Sequence, residues 1–308
     1  MMYDLVIIGG GPAGTAAGVY ASRKQLSTLL ITGEWGGQSK VSPDIQNWIG
    51  TPSINGNDLA KNLEEHLKTY AGEIVDINEN TTVTNIEKKN SHFLVYRSEG
   101  ESVETKTVLI ATGSDRRKLA VPGAEKFEHK GLTYCATCDG PLFAGQDVAV
   151  IGGGNAGFET AAQLLAYAKS VTLLHRGPAY KADPVTVEKV LAHEKMTGIL
   201  DAVTIEVHGD KFVSGITYKD GRTDEHHELA VTGIFVEVGM IPNTNFAASV
   251  VETDEYKRIK IDPWTQQTST PGIWAAGDCT DIKYHQNNLS AGDAVRALED
   301  IYVTLKTK

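Results

Sequence analysis

The chain has little of what several classes of protein require. It holds only three cysteines in 308 residues, too few for the disulfide framework that supports many secreted proteins. It has no long run of lysine and arginine, and its formal net charge is −10, which argues against nucleic acid or an anionic membrane surface as a partner. No apolar run reaches the ~18 residues that a membrane-spanning helix needs, so we expect no membrane segment.

The amino terminus lacks the basic segment and the cleavage site of a signal peptide. Its first residues, MMYDLVIIGGG, instead predict a buried strand that runs into a glycine turn. We therefore expect a cytoplasmic protein, where closely spaced cysteines serve redox chemistry more often than structural cross-linking. The composition, with 41% hydrophobic and 22% charged residues, is typical of a globular chain long enough for two domains.

The chain does contain two copies of one glycine-rich turn. The first, GGGPAG at residues 9–14, follows an apolar strand and precedes a helix and another strand. In this βαβ pattern the first glycine permits a tight turn, the second lets the backbone approach a pyrophosphate, and the third lets helix and strand pack closely. Free N–H groups at the helix N terminus then face the phosphates. The second copy, GGGNAG at residues 152–157, has the same context.

One glycine turn alone also occurs where a helix merely packs on a strand, but two copies in the same context favour two dinucleotide sites. Two dinucleotides imply electron transfer between carriers, usually a tightly held FAD and a diffusing nicotinamide coenzyme. Further candidate cofactor segments are the glycine pair at residues 36–37 and the strand ends at residues 111–113 and 277–278. Asp278 is interpreted either as an acceptor for a cofactor hydroxyl or as a turn cap.

Two of the three cysteines, Cys135 and Cys138, form a CxxC pair that Asp139 follows directly. Zinc needs about four ligands, whereas the third cysteine, Cys279, is distant in sequence and His129 is the only histidine close by; we therefore expect no metal. A structural disulfide across so short a loop would remove little unfolded-state entropy. The pair is therefore interpreted as a redox centre, and Cys279 as a small buried apolar residue.

The order of GxGxxG, GGQ, ATG, CATCD, a second GxGxxG and GD resembles low-molecular-weight thioredoxin reductase over essentially the whole chain. Stretches such as CDGPLF and IPNTN are also similar to the reductase portion of the alkyl hydroperoxide reductase flavoprotein. We expect that flavoprotein's extra N-terminal redox module to be absent, because the glycine motif starts at residue 9.

The resemblance implies an α/β fold of two Rossmann-like dinucleotide-binding domains (three-layer), with the second inserted in the first. Residues 1–115 and 247–308 would form a discontinuous FAD-binding domain. Residues 116–246 would form the NAD(P)-binding domain that carries the CxxC pair.

The resemblance also implies roles for individual residues. Cys138 takes electrons from the flavin, Cys135 attacks the partner through a mixed disulfide, and Asp139 moves the proton; the alternative for Asp139 is a helix N-cap. The implied FAD contacts are Gly9, Gly11, Pro12, Ala13, Gly14, Thr32, Gly36, Gly37, Gln38, Asn47, Ala111, Thr112, Gly113, Gly277, Asp278, Gln286 and Asn287. The implied NAD(P) contacts are Gly152, Gly154, Asn155, Ala156, Gly157, His175, Arg176 and Lys181.

Two departures from the family's pattern concern the cofactors. NADPH-dependent members carry HRRxxFRA where this chain has HRGPAYKA. The cationic set His175, Arg176 and Lys181 favours NADPH, because a 2′-phosphate binds positive charge; NADH and reduction by ferredoxin stay open as alternatives. The family's Arg-Gln-Ala is HQN here, so His285 replaces a cation that holds the pyrophosphate or positions the flavin; the alternative is that His285 is a partly solvated surface residue.

We therefore predict a flavoprotein disulfide reductase, an NAD(P)H-dependent thioredoxin-disulfide reductase that acts as a homodimer. Electrons would pass from NAD(P)H through FAD and the CxxC pair to thioredoxin or a similar small disulfide protein. A peroxiredoxin or glutaredoxin-like partner is one alternative. A ferredoxin-fed or sensor flavoprotein with little NAD(P)H turnover is another. Polar passages at residues 116–127 and 239–246 predict linkers between the two domains.

Overall fold

The computed structural model describes residues 2–42 and 45–306. The chain divides into two compact units: the first is residues 1–115 with 241–308, and the second is residues 116–240. No helix within the described residues combines the length and the apolar composition needed to cross a membrane.

The second boundary between the units follows Met240 rather than Phe246, the position predicted from the sequence. Residues beyond Met240 bind to the first unit through the backbone. The N–H of Asn243 donates to the carbonyl of Gly113 at 3.0 Å, and the Thr112 hydroxyl donates to the carbonyl of Asn243 at 2.6 Å. The polar, proline-containing passage that predicts a linker is therefore partly an ordered part of the first unit.

Seven α-helices and seventeen strands lie within the described residues. The helices are α1 (Pro12–Arg23), α2 (Gly56–Ala71), α3 (Ala124–Phe127), α4 (Ala136–Asp139), α5 (Asn155–Leu164), α6 (Pro184–Leu191) and α7 (Asn287–Lys306). Short 3-10 helices span Gly37–Val41, Gly140–Phe143 and Asn245–Ala247. The strands are β1 (Met2–Gly10), β2 (Thr28–Trp35), β3 (Val75–Glu79), β4 (Val83–Lys88), β5 (Phe93–Arg97), β6 (Ser102–Ile110), β7 (Ser114–Arg116), β8 (Leu132–Thr133), β9 (Asp147–Ile151), β10 (Ser170–Leu174), β11 (Met196–Ile199), β12 (Ala202–Gly209), β13 (Val213–Asp220), β14 (His226–Leu229), β15 (Gly233–Val236), β16 (Met240–Pro242) and β17 (Ile273–Ala275).

The first unit is built on a seven-stranded sheet in the order β3-β2-β1-β6-β5-β4, with β17 also paired with β6. Strands β3, β2, β1, β6 and β17 run parallel, whereas β5 and β4 pair antiparallel. Alternate residues of β1 enter two cores: Leu5 and Ile7 pack with residues of α1 and α7, and Val6 and Ile8 pack on the opposite face. Burial on both faces explains why β1 is apolar at successive positions instead of alternating.

The second unit contains a parallel five-stranded sheet in the order β11-β10-β9-β15-β8. One face packs against α5, where Val148 and Val150 of β9 meet Phe158. The other face packs against the antiparallel sheet β12-β13-β14, where Ala149 and Ile151 join a core with residues of β12 and β13. These layers confirm the predicted α/β class with two Rossmann-like domains. The segments that join the units, β7 and β16, pair with each other.

Candidate active site

The first glycine turn closes tightly between β1 and α1. Gly9 has φ +123°, and a Cβ there would lie 2.2 Å from the carbonyl oxygen of Ala111. A Cβ on Gly14 would lie 1.8 Å from the carbonyl oxygen of Gly9. A Cβ on Gly11, by contrast, would meet no atom within 4 Å, so the backbone there is open to a ligand. Helix α1 begins at Pro12 without an acidic residue in its first turn, which leaves its positive end available for phosphate.

A cavity of about 630 Å³ opens over this turn in the first unit. Thirteen of the seventeen FAD contacts predicted from the sequence line it: Gly9, Gly11, Pro12, Ala13, Thr32, Gly37, Gln38, Ala111, Thr112, Gly113, Gly277, Asp278 and Asn287. The carboxyl ends of β1, β2, β6 and β17 supply most of these residues, as expected for a dinucleotide site in a parallel sheet.

Four predicted FAD contacts lie outside this lining. Gly14 packs against Gly9, and a Cβ on Gly36 would lie 2.3 Å from the side chain of Ala60, so both are glycines for close packing. The side chains of Asn47 and Gln286 are joined by a 3.0 Å hydrogen bond. Their contact with FAD stays a prediction.

The cavity suits FAD on three observations. Its volume lies in the range of small-molecule sites, roughly 300–1,000 Å³. The open space at Gly11 faces the first turn of α1, where a pyrophosphate would accept hydrogen bonds from backbone N–H groups. Asp278, which accepts a hydrogen bond from the Ser290 hydroxyl at 3.3 Å, lines the same cavity with an oxygen acceptor for a cofactor hydroxyl.

Sequence reasoning missed several residues that line the cavity. Glu34 lies near the carboxyl end of β2, the strand that also holds Thr32, and this position near the end of a parallel strand is a usable signal. Others come from distant segments: Thr81 and Thr82 belong to no motif, whereas Asn243 and Thr244 lie in the IPNTN stretch noted in the sequence, and Phe246 follows that stretch directly. His285 lies beside the cavity residue Asp278, with its Nδ1 3.3 Å from the Asp278 carboxylate.

The second glycine turn repeats the geometry of the first. Gly152 has φ +128°, and a Cβ there would lie 2.1 Å from the carbonyl oxygen of Glu237. A Cβ on Gly157 would lie 1.8 Å from the carbonyl oxygen of Gly152, while a Cβ on Gly154 would meet no atom within 4 Å. Helix α5 then begins at Asn155 with no acidic residue in its first turn. This turn can therefore hold a second pyrophosphate in the same way.

His175 differs from the cation expected at the end of β10. Its side chain is buried, with 7% relative exposure, and its Nδ1 accepts the N–H of Gly153 at 3.2 Å. Burial lowers the pKa of His175, and the positive charges of Lys181 and Arg176 act in the same direction. The ring is therefore a neutral support beneath the second glycine turn.

Arg176 and Lys181 keep the position expected of a phosphate site. Both are exposed, and both lie close enough to His175 to influence its titration. Among the ion pairs of the described residues, neither side chain has an acidic partner. These two cations are therefore available to an anionic ligand at the carboxyl end of β10.

Cys135 and Cys138 form a disulfide in the second unit, with a Cα–Cα distance of 5.3 Å. Cys135 is the N-cap of α4, and its sulfur accepts the N–H of Cys138 at 3.2 Å. Cys279 is fully buried in the first unit, where burial raises the pKa of its thiol to about 11. A thiol that rarely ionises is a poor nucleophile. This agrees with the interpretation of Cys279 as a small buried apolar residue.

Asp139 is buried at the end of α4 and accepts a hydrogen bond from the hydroxyl of Thr133. It precedes the 3-10 helix Gly140–Phe143, but its side chain makes no capping hydrogen bond to that helix. The hydrogen bond that an N-cap role for Asp139 would require at this helix is therefore missing. The Thr133 hydroxyl also accepts the N–H of Cys135 at 3.4 Å, so one residue, not foreseen from the sequence, joins the acid to the disulfide segment.

One edge of the parallel sheet brings the chemistry of the second unit together. Because β10, β9, β15 and β8 are neighbours and run parallel, the residues after their carboxyl ends share that edge. Arg176 follows β10, Gly152 follows β9, Glu237 follows β15, and Cys135 follows β8 after Tyr134. A dinucleotide laid across the glycine turn would therefore point one end to the cations and the other toward the disulfide. Within the described residues, no group of three or more His, Cys, Asp or Glu is arranged to hold a metal ion.

Comparisons with known proteins agree with this arrangement. The family model for "Pyridine nucleotide-disulphide oxidoreductase" matches residues 3–296. The chain is 39% identical to an NADH dehydrogenase of Bacillus subtilis over 96% of its own length and 57% of the relative. It is 38% identical to the F component of alkyl hydroperoxide reductase in Escherichia coli, with the same shares of each chain covered. The chain thus spans little more than half the length of these curated relatives.

Solved structures match over the full length of this chain. A thioredoxin reductase from Streptococcus pyogenes is 36% identical, with a TM-score of 0.88 over 100% of this chain and 99% of the other. A thioredoxin reductase from Giardia duodenalis is 30% identical, with a TM-score of 0.92 over 98% of this chain and 99% of the other. These structures therefore share both domains of this chain.

Proposed function

Because the chain belongs to the pyridine nucleotide-disulphide oxidoreductase family, we propose that it is a cytoplasmic enzyme that uses NAD(P)H to reduce a disulfide in a small protein. In the balanced reaction, NAD(P)H, one proton and the partner's disulfide become NAD(P)⁺ and two thiols. The observation that carries this proposal is the sheet edge on which the second glycine turn and the Cys135–Cys138 disulfide lie together.

The first unit would hold FAD in its cavity. The pyrophosphate would lie on the N terminus of α1 beside Gly11, and the Asp278 carboxylate would accept a hydrogen bond from a cofactor hydroxyl. FAD supplies a two-electron carrier between hydride chemistry and thiol chemistry. The second unit would hold the coenzyme pyrophosphate on the N terminus of α5.

The two cysteines divide the thiol chemistry. Cys138 is the cysteine that would take electrons from a bound flavin, and Cys135 attacks one sulfur of the partner's disulfide. That attack forms a mixed disulfide and releases the other sulfur as a thiolate. Asp139, held by Thr133, delivers the proton that the leaving thiolate takes up. Cys138 then attacks Cys135 in the mixed disulfide and releases the partner as a dithiol.

The partner we favour is thioredoxin or a similar small disulfide protein, with the enzyme acting as a homodimer. The likeness to two thioredoxin reductases over the whole chain supports this choice. The 38% identity to the F component of alkyl hydroperoxide reductase supports a second candidate, a peroxiredoxin-type partner. For the coenzyme we favour NADPH over NADH, because Arg176 and Lys181 remain available to a 2′-phosphate.

Steady-state turnover tests this function directly. The FAD-loaded protein would be given NADPH, NADH or reduced ferredoxin, each with thioredoxin or with a peroxiredoxin as disulfide substrate. We expect NAD(P)H oxidation that requires a disulfide protein and vanishes in the Cys135→Ser/Cys138→Ser protein. Turnover that persists without the cysteines, or a protein that takes up no FAD, would contradict the proposal.

A further inference from the structure

Glu237 occupies the position in the second unit that Ala111 occupies in the first. The N–H of Ala111 donates to Ile8 O at 2.8 Å, and the N–H of Glu237 donates to Ile151 O at the same distance. Each residue also directs its carbonyl oxygen at the first glycine of its turn. A Cβ on Gly9 would lie 2.2 Å from the oxygen of Ala111, and a Cβ on Gly152 would lie 2.1 Å from the oxygen of Glu237. Ala111 lines the dinucleotide cavity of the first unit. The repeat therefore assigns Glu237 to the dinucleotide site of the second unit.

The sheet edge identifies which half of the coenzyme reaches Glu237. The exposed cations Arg176 and Lys181 lie at the end of β10, on one side of the glycine turn. An adenosine 2′-phosphate belongs on that side. The nicotinamide then extends the other way, over β15 and toward β8, the strand that leads to Cys135.

Glu237 is held in this position by α5. Its carboxylate accepts a hydrogen bond from the Thr160 hydroxyl at 2.8 Å, and the Thr160 side chain is buried. Helix α5 thus anchors one carboxylate oxygen beside the glycine turn. An acid so placed at a site for a mobile coenzyme interacts with the charge that develops on the ring.

We propose that Glu237 lies beside the nicotinamide ring of the bound coenzyme and favours its oxidised form over its reduced form. This inference rests on the proposed function, because it takes the second unit to bind a nicotinamide dinucleotide. The reduced ring is neutral, whereas the oxidised ring carries a positive charge after it has given up a hydride. A carboxylate at this position attracts the charged ring and has little effect on the neutral one.

The ionisation of Glu237 sets when this preference operates. Burial raises the pKa of Glu237 to about 7, and the charge of Glu159 on α5 acts in the same direction. The charge of Arg116 and the hydrogen bond from Thr160 act in the opposite direction. The preference for oxidised coenzyme is therefore present above about pH 7 and lost as the carboxylate is protonated below it.

Calorimetric titration of the FAD-loaded protein tests this inference without turnover. The ligands are NADP⁺ and NAD⁺, each compared with its 1,4,5,6-tetrahydro analogue, whose ring is uncharged and transfers no hydride. We expect the analogue-to-oxidised ratio of dissociation constants to rise roughly tenfold between pH 6 and pH 8 in the native protein. The 2′-phosphate also titrates, but it is present in both ligands of a pair and cancels in their ratio.

The Glu237→Gln protein should give the lower ratio at both pH values. Glu128→Gln is the matched control, because it removes a partly buried carboxylate that precedes β8 in the same unit. A ratio that is independent of pH in the native protein, or unchanged by Glu237→Gln, overturns the role of Glu237 while coenzyme binding stands. If none of the four ligands binds the native protein, the proposed function fails as well.

Discussion

The two glycine turns of this chain have almost the same geometry but face different chemistry. In both turns a Cβ on the first or third glycine would lie about 2 Å from a carbonyl oxygen, and a Cβ on the second would meet no atom within 4 Å. The strand that pairs with the one before each turn is followed by Ala111 in the first unit (β6) and by the hydrogen-bonded Glu237 in the second (β15). The turn therefore offers the same place for a pyrophosphate in both units, and our proposal assigns the difference between a retained cofactor and a mobile coenzyme to the residues after the neighbouring strands.

The largest test of this comparison removes the chemistry of the second unit without changing its turn. In the Cys135→Ser protein we expect disulfide-protein reduction to fall by roughly 10³-fold or more, because the nucleophile is lost. Flavin reduction by NAD(P)H should continue, since both glycine turns are intact. The remaining Cys138 thiolate should give a long-wavelength charge-transfer band with the oxidised flavin.

Stopped-flow absorbance would separate these two half-reactions. Cys279→Ser serves as the control because Cys279 is fully buried in the first unit, and its turnover should stay close to native. Near-native reduction of thioredoxin by the Cys135→Ser protein would show that the nucleophile has been assigned to the wrong cysteine.

Replacing Glu237 tests how the buried carboxylate that distinguishes the second unit affects the free energy of unfolding. Because the folded-state pKa of this carboxyl is raised to about 7 from 4.5, the folded protein binds a proton that the unfolded chain releases between these values. Stability is therefore lost as pH rises through this range. Glu237→Gln should leave the free energy of unfolding almost unchanged at pH 4.5 and raise it by up to about 3 kcal/mol at pH 8.

Denaturant unfolding at several pH values measures this difference. The Glu128→Gln protein should show no such pH-dependent gain, since the Glu128 carboxylate forms an ion pair with Lys118 at 2.9 Å that glutamine would remove. A Glu237→Gln protein that is less stable than the native protein at pH 8 would mean that the ionised carboxylate is satisfied where it lies.

Local patterns in the sequence predicted the glycine turns and the redox pair because each depends on residues close together in the chain. Contacts between distant segments were not predictable in this way. His175 follows a strand and has the sequence position of a phosphate-binding cation, yet its ring accepts the Gly153 N–H beneath the turn. Thr133 and Glu237 belong to no motif. Their importance appears only when α4 and α5 bring Asp139 and Thr160 against them.

Substitutions at the central glycines allow the binding site of each unit to be tested independently of the other. A Cβ at Gly11 or Gly154 has no neighbour within 4 Å, so alanine at either position should fold normally while occupying the space that a pyrophosphate approaches. We expect Gly11→Ala to weaken FAD binding by roughly tenfold to a hundredfold, the value of one charge-assisted hydrogen bond. Gly154→Ala should retain FAD and raise the Michaelis constant for NAD(P)H by a similar factor.

Flavin fluorescence and steady-state kinetics would measure these two effects, with thermal unfolding of the flavin-free proteins as the check on folding. If Gly154→Ala loses flavin, or if Gly11→Ala affects only NAD(P)H, the assignment of cofactors to the two units is reversed.

The smallest expected effect concerns the choice between NADPH and NADH, where the second unit keeps only part of a phosphate site. Arg176 and Lys181 are exposed at the end of β10, His175 is a buried support, and Gly177 stands where NADPH-dependent relatives of the thioredoxin reductase type carry a second arginine. We therefore expect a preference for NADPH that is weaker than theirs by roughly tenfold to a hundredfold, since one charge-assisted contact is missing.

Two substitutions test this preference. Gly177→Arg should lower the Michaelis constant for NADPH and leave that for NADH almost unchanged. Arg176→Ala should raise the Michaelis constant for NADPH and leave that for NADH unchanged. A native enzyme that prefers NADH, or an Arg176→Ala protein that loses both coenzymes equally, would show that these cations do not bind the 2′-phosphate.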